Sequence, residues 1–164
     1  MTPFSPQRWP LAPVVALVVV AWLALSWPWL SGAVTVPWDA KAHFFPQLQA
    51  LAAALHSGQS PDWTPHVFAG HPQIADPQSL VFSPPFRLLA WLSARPGFAA
   101  MDGVLLGHLL LGALALVLFF RDRRWHPAGA IVAALAFAFG AAAAWRIQHV
   151  GQVVSLSWLA ATLL

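Results

Sequence analysis

Residues 11–30, LAPVVALVVVAWLALSWPWL, contain no charged side chain. As an α-helix rising about 1.5 Å per residue, such a run crosses a hydrocarbon core about 30 Å thick. Pro13 falls in its first turn, where a missing amide costs little, and Trp27, Pro28 and Trp29 mark an interface at its far end. A cleaved signal peptide is the rival reading, with Arg8 ahead and Ser31-Gly32-Ala33 behind. The run is too long and too rich in tryptophan for that, so it is read as a first transmembrane helix. Composition agrees: 59% of the 164 residues are hydrophobic and 8% charged, against about a quarter charged in a soluble domain. Lys and Arg form no stripe, which excludes nucleic acid as a partner. Without cysteine, disulfides and thiolate metal sites are excluded.

Two more spans follow. Residues 98–120 form the second and end at Arg121-Asp122-Arg123-Arg124, the densest basic cluster in the chain. A short turn over 121–128 leads to the third, residues 129–144. Basic residues in that turn and at Arg8 place the N-terminus, 1–10, in the cytoplasm by the positive-inside rule. The 31–97 loop then lies outside, with Lys41, Arg87 and Arg95 as its fixed positive charges. Residues 145–164 read as an outer turn and the start of a fourth span. Its apolar end, SLSWLAATLL, carries no stop signal, so the expectation is a longer protein whose C-terminal helices are missing here. The fold class is all-α, a polytopic transmembrane helical bundle with a large outer first loop containing interfacial helices.

Within the loop, Phe44, Leu48, Leu51 and Leu55 recur at helical spacing. They predict an amphipathic helix over 39–56 that lies flat on the membrane. Prolines crowd residues 61–85 too densely for a regular element. That stretch nevertheless holds Trp63, Val67, Phe68, Ile74, Leu80, Val81 and Phe82, which are costly to leave in water, so an ordered turn assembly is expected. A short apolar helix, interfacial or re-entrant, is expected over 86–93.

Asp39 follows the first span closely and has two readings, a general base at the outer membrane surface or an N-cap of the flat helix. Asp76, before Pro77, has the same double meaning, and Asp62 reads as turn chemistry. His43, His66 and His71 share the loop with Asp39 and Asp76; that set suits a divalent metal, but the spacing matches no zinc motif and hydrogen-bonded loop histidines are the favoured reading. His56 is placed at a helix C-terminus, where the dipole favours a cation. Arg146 and His149 fall on one face if their helix continues, either holding a phosphate or reaching to the interface. Asp102 and His108 lie near or inside the second span, where ionisable groups face a bundle interior. His108 is read as a helix-to-helix hydrogen bonder.

The loop also carries an ordered series of turn motifs: Asp39-Ala40-Lys41 with Phe44-Phe45-Pro46, Ser57-Gly58, Pro61-Asp62-Trp63-Thr64-Pro65, Phe68-Ala69-Gly70-His71-Pro72-Gln73, Ala75-Asp76-Pro77-Gln78 and Phe82-Ser83-Pro84-Pro85. This series resembles the first outer loop of YfhO-like bacterial membrane proteins, which look like GT-C-type polytopic glycosyltransferases. Arg146 and His149 followed by Trp158 resemble that family's third and fourth helices. The resemblance implies an enzyme of the bacterial inner membrane that moves a sugar from a polyprenyl-phosphate carrier to an extracytoplasmic acceptor. It implies Asp39 as the acidic residue of the first outer loop, with Asp76 matching the family's Ala-Asp-Pro-Gln element, and these two are the candidate catalytic residues. A phosphate leaves as an anion, so cationic donors can stabilise it; Arg146, His149 and Lys41 are candidates near that phosphate and, with His71, for substrate binding. The family's greater length is the departure. Two other classes compete: a carrier or flippase for a lipid-linked molecule, which makes no bond, and a membrane scaffold that binds a protein partner through its Trp and Pro surface.

Overall fold

The computed structural model describes residues 9–164, so Arg8 and most of the expected N-terminal segment 1–10 lie outside the described residues. Helices dominate. In order these are α1 (Leu11–Leu30), a π turn (Ala40–Phe44), α2 (Phe45–Ser57), β1 (Trp63–Thr64), β2 (His71–Pro72), a 3-10 turn (Gln73–Ala75), α3 (Pro84–Leu92), α4 (Phe98–Asp122), α5 (Pro127–Phe139), α6 (Ala141–Arg146) and α7 (Val150–Ala161). The protein is all-α, and among the described residues three stretches are long and apolar enough to cross a membrane: Leu11–Leu30, Phe98–Asp122 and Pro127–Arg146. Along α1, Leu17, Val20, Leu23, Leu25 and Trp27 are exposed while only Val14, Val18 and Ser26 are buried. An apolar surface of that length is stable against lipid, not water.

The chain divides into two units. The first comprises the part up to Trp27, Leu106–Arg146 and Val153–Leu164, and the second Pro28–Leu105 with Ile147–Gln152.

In the first unit, small residues let helices approach closely. Ala130, Ala134 and Ala138 form the buried stripe of α5. At Gly112 of α4, a Cβ would run into the Phe137 ring and come within 3.2 Å of Ser157 Cα. Lipid offers apolar side chains no gain from burial against one another, so close van der Waals packing of this kind supplies the association. Two polar tips are bonded differently: the Trp22 indole N–H donates across helices to the Leu106 carbonyl at 3.0 Å, and the Ser157 hydroxyl within its own helix to the Val153 carbonyl at 2.8 Å. His108 is buried with its ring edge-to-face to Trp158 at 6.4 Å. The expected third span, 129–144, begins earlier, at Pro127, because His126 caps it by accepting the Ala128 amide at 3.2 Å. It is also interrupted, because Gly140 adopts an extended backbone that ends α5. The second span runs on to Asp122.

The second unit is built around α2 and α3, which pack on each other. Phe44, Leu48 and Leu51 of the predicted stripe are buried, with Phe86 and Ala90 as the buried face of α3. The stripe is therefore covered by protein, which corrects the expectation of a helix lying on the membrane. Nor is 39–56 one helix: a π turn precedes α2, and α2 extends to Ser57. His56 donates its Nε2 hydrogen to the Ala90 carbonyl at 3.1 Å, tying α2 to α3. Residues 61–85 are ordered, but not by burial of their apolar side chains. Leu80 and Val81 are buried, whereas Trp63, Val67, Phe68, Ile74 and Phe82 are exposed. Order comes from backbone hydrogen bonds instead: β1 pairs antiparallel with β2, Trp63 opposite Pro72 and Thr64 opposite His71, and the Ile74 amide donates to the Asp62 carbonyl at 3.2 Å.

The packing at Gly112 generates a prediction. Gly112→Val should destabilise the folded protein by about 1–3 kcal/mol, as overpacking does. At Gly107, where an added Cβ meets nothing within 4 Å, Gly107→Ala should leave stability unchanged or raise it by up to about 1 kcal/mol, because Ala loses less backbone entropy than Gly in a helix interior. Thermal unfolding of both variants in detergent, read by circular dichroism, checks the difference.

Candidate functional site

Asp39 sits where the chain enters the π turn, and its placement begins one residue earlier. Trp38 has φ +57, a left-handed conformation that costs a bulky residue energy. Its carbonyl accepts two amides, from Lys41 at 3.0 Å and Ala42 at 2.8 Å. The wider turn that follows closes with the Phe45 amide on the Ala40 carbonyl, and π turns of this kind recur at functional sites. The Asp39 side chain makes no capping bond. Its Oδ2 lies 3.1 Å from Nδ1 of His149, with both side chains partly exposed. The capping reading of Asp39 is thereby replaced by a carboxylate–imidazole pair. Lys41 turns another way, its Nζ 5.6 Å from the centre of the Phe98 ring, which itself stacks on Phe45 at 3.8 Å between centroids.

Arg146 and His149 do not share a helix face. The helix ends at Arg146, the chain turns through Ile147 and Gln148, and His149 precedes α7, its carbonyl accepting the Gln152 amide at 2.9 Å. That break corrects the sequence expectation, because the i, i+3 rule holds only along an unbroken helix. It also releases His149 for Asp39.

Asp76 carries out the turn chemistry expected of Asp before Pro. Its Oδ1 accepts the Gln78 amide at 2.8 Å and its carbonyl the Ser79 amide at 3.0 Å. The other carboxylate oxygen lies 3.8 Å from His71 Nε2. Asp62 accepts the Ser60 hydroxyl at 2.9 Å, again within a turn. His43 Nε2 is 3.1 Å from the Gln47 carboxamide nitrogen, one turn along. Although these side chains cluster in one unit, no group of three His or Asp that could hold a metal ion occurs among the described residues.

A cavity of about 450 Å³ opens between α2 and the β1–β2 hairpin. Three of the histidines singled out in the sequence line it, His43, His66 and His71, together with Asp76, Gln47 and Gln73. A smaller hollow of about 230 Å³ shares Gln47, Thr64, His66 and Gln73 as part of its wall. Asp39 does not line either one. Gln47 and Gln73 escaped the sequence reading. For Gln47 a signal existed, its position four residues after His43 in a helical pattern.

Fold and site together define an all-α protein with three helices apolar enough to cross a bilayer and a second unit that pairs an exposed carboxylate with an imidazole. No family model, curated protein or solved structure matches the chain.

The hairpin beside the cavity depends on Gly70, whose φ of +115 is unfavourable for any L side chain and whose missing Cβ leaves room for the Trp63 indole. Gly70→Ala should cost about 1–3 kcal/mol locally. Faster chymotryptic cleavage at Trp63 and Phe68, with no change in cleavage elsewhere, is the expected outcome of limited proteolysis.

Proposed function

We propose that this chain is the N-terminal portion of a YfhO-like, GT-C-type membrane glycosyltransferase. It sits in the bacterial inner membrane with its N-terminus in the cytoplasm, and transfers a sugar from a polyprenyl-phosphate carrier to an acceptor hydroxyl on the outer side. The observation that carries the reading is the Asp39 Oδ2 to His149 Nδ1 contact of 3.1 Å, on a carboxylate separated only by residues 31–38 from a helix long and apolar enough to span.

The chemistry needs one base. The acceptor oxygen forms a bond to the anomeric carbon of the sugar while the bond from that carbon to the phosphate oxygen breaks, its electron pair leaving with the phosphate. The hydroxyl proton passes to Asp39. His149, donating its Nδ1 hydrogen, orients the carboxylate and stabilises its charge, leaving the other oxygen for the acceptor. Phosphate departs as an anion, so a general acid is unnecessary and a cation beside it suffices. Lys41, two residues from Asp39 on the π turn, is the candidate for that part. Asp76 is engaged by its turn and is assigned to the cavity, not to proton transfer.

The test is sugar transfer from labelled polyprenyl-phosphate sugars in membranes containing the full-length protein. Asp39→Asn should lower the rate by about 100- to 10,000-fold, the usual contribution of a positioned base. His149→Gln, which retains a hydrogen-bond donor, should lose less. Equal losses would move the proton acceptor to the imidazole, and wild-type rates from a folded Asp39→Asn protein would sink the proposal. Carrier binding without any product would favour the carrier or flippase reading.

A further inference from the structure

The cavity between α2 and the hairpin has a composition that selects for one kind of ligand. Among the described residues no Lys or Arg lines it, which disfavours an anion. Its single carboxylate, Asp76, has His71 3.8 Å away, and no three-residue metal group is present among the described residues. What remains are groups that exchange hydrogen bonds in both directions, the Gln47 and Gln73 carboxamides, the Thr64 hydroxyl and the histidine rings. Between them lie apolar patches from Ala42, Pro46 and Ala50. A volume of about 450 Å³ falls within the range of small-molecule clefts, about 300–1,000 Å³.

Phe68 is the second, independent observation. It lines the same cavity, yet it is 88% exposed. Its backbone is left-handed at φ +50, as are those of Ala69 at +58 and Gly70 at +115. A bulky aromatic residue held in a costly conformation, with nearly all of its surface in solvent, gains no packing energy to offset the strain. Such strain collects at ligand clamps and functional loops. The ring is tilted 71° from the His71 ring at 6.1 Å between centroids, and its high exposure leaves surface open to stack on a flat apolar ligand.

We propose that this cavity is a binding subsite for a neutral saccharide, with Phe68 stacking on the C–H face of one sugar ring and Gln47, Gln73, His71 and Asp76 bonding its hydroxyls. Sugars present such a pair of surfaces, an apolar ring face and a rim of hydroxyls that both donate and accept. His43 and Asp39 lie on or beside the same π turn, so the subsite is a place to hold the acceptor. Only the word acceptor rests on the transferase reading.

The test is saturation-transfer NMR on the full chain in phospholipid nanodiscs free of sugar-based detergent. The probes are the methyl glycosides of glucose, galactose, mannose and N-acetylglucosamine. At least one glycoside should receive saturation from the wild-type protein. Binding should weaken by about fivefold or more both in Phe68→Ala, which removes the stacking face, and in Ala50→Phe, which fills the cavity from an exposed position on α2. Inorganic phosphate should not compete. The inference is overturned if no glycoside receives saturation, if the signal persists in both variants, or if phosphate displaces the glycoside. Binding is read without turnover, so the two proposals fail separately. A bound glycoside with no sugar transfer would count against the transferase alone, and transfer with an empty cavity would count against the subsite alone.

Discussion

The Val36 amide is fully buried, and the carboxylate of Asp102, itself 2% exposed, accepts its hydrogen at 3.2 Å. An unpaired amide in that setting would cost about 1–3 kcal/mol, so the stretch after α1 is held to the first turns of α4. The same turns do more. Phe98 stacks on Phe45 and lies under Lys41, the Ala99 methyl faces Gly32 at contact distance, and Gly103 makes room for Leu30. Residues 98, 99, 102 and 103 lie on one side of a helix. One edge of α4 therefore sets where the chain leaves α1, how it bends through Trp38, and where Asp39 comes to rest. A polar residue near the start of a spanning helix thus supports the site without facing a substrate.

The two units use different physics. In the first, Ala130, Ala134, Ala138 and Gly112 bring helix backbones together, while large apolar side chains such as Leu17, Val20 and Leu25 point outward. This inverts the arrangement of a water-soluble bundle, as expected where the solvent is itself hydrocarbon. In the second, Phe44, Leu48, Phe86 and Leu105 make an ordinary apolar core. The loop over 61–85 rests on that core through Leu80 and Val81, and leaves its aromatic residues at the surface. Its shape is held by turn hydrogen bonds, with Asp62 and Asp76 each satisfying a local donor.

Sequence legibility followed how local each determinant is. Helix α1 covers the residues read as the first span, and a tight turn at Gly32, φ +77, follows its end. The end of α4 fell two residues later than expected, since Arg121 and Asp122 continue the helix despite their charge. Glycine inside an apolar stretch gives no sign of whether it will break a helix, so the interruption at Gly140 was invisible. The stripe through Phe44, Leu48 and Leu51 was readable as a buried face, but periodicity does not say whether lipid or α3 covers it. Asp39 could be singled out by position. His149 could be singled out too, but their pairing could not, because it depends on a helix break at Arg146 and a return of the chain far along the sequence. The cavity was half legible: its histidines were conspicuous, whereas its carboxamides belong to the commonest surface residue types.

The π turn between Asp39 and α2 has a consequence for how such a site can change over time. A π turn amounts to one residue inserted into an otherwise regular helix. Losing that residue would restore α geometry and rotate everything downstream by about 100° relative to Asp39. His43 on the turn and Gln47 and Ala50 on α2, which wall the cavity, would swing together, and Leu48 and Leu51 would swing with them out of the core they fill. The angle between the acid and the cavity is therefore tied to the seating of α2, and a single-codon deletion or insertion at this point changes both in one mutational step.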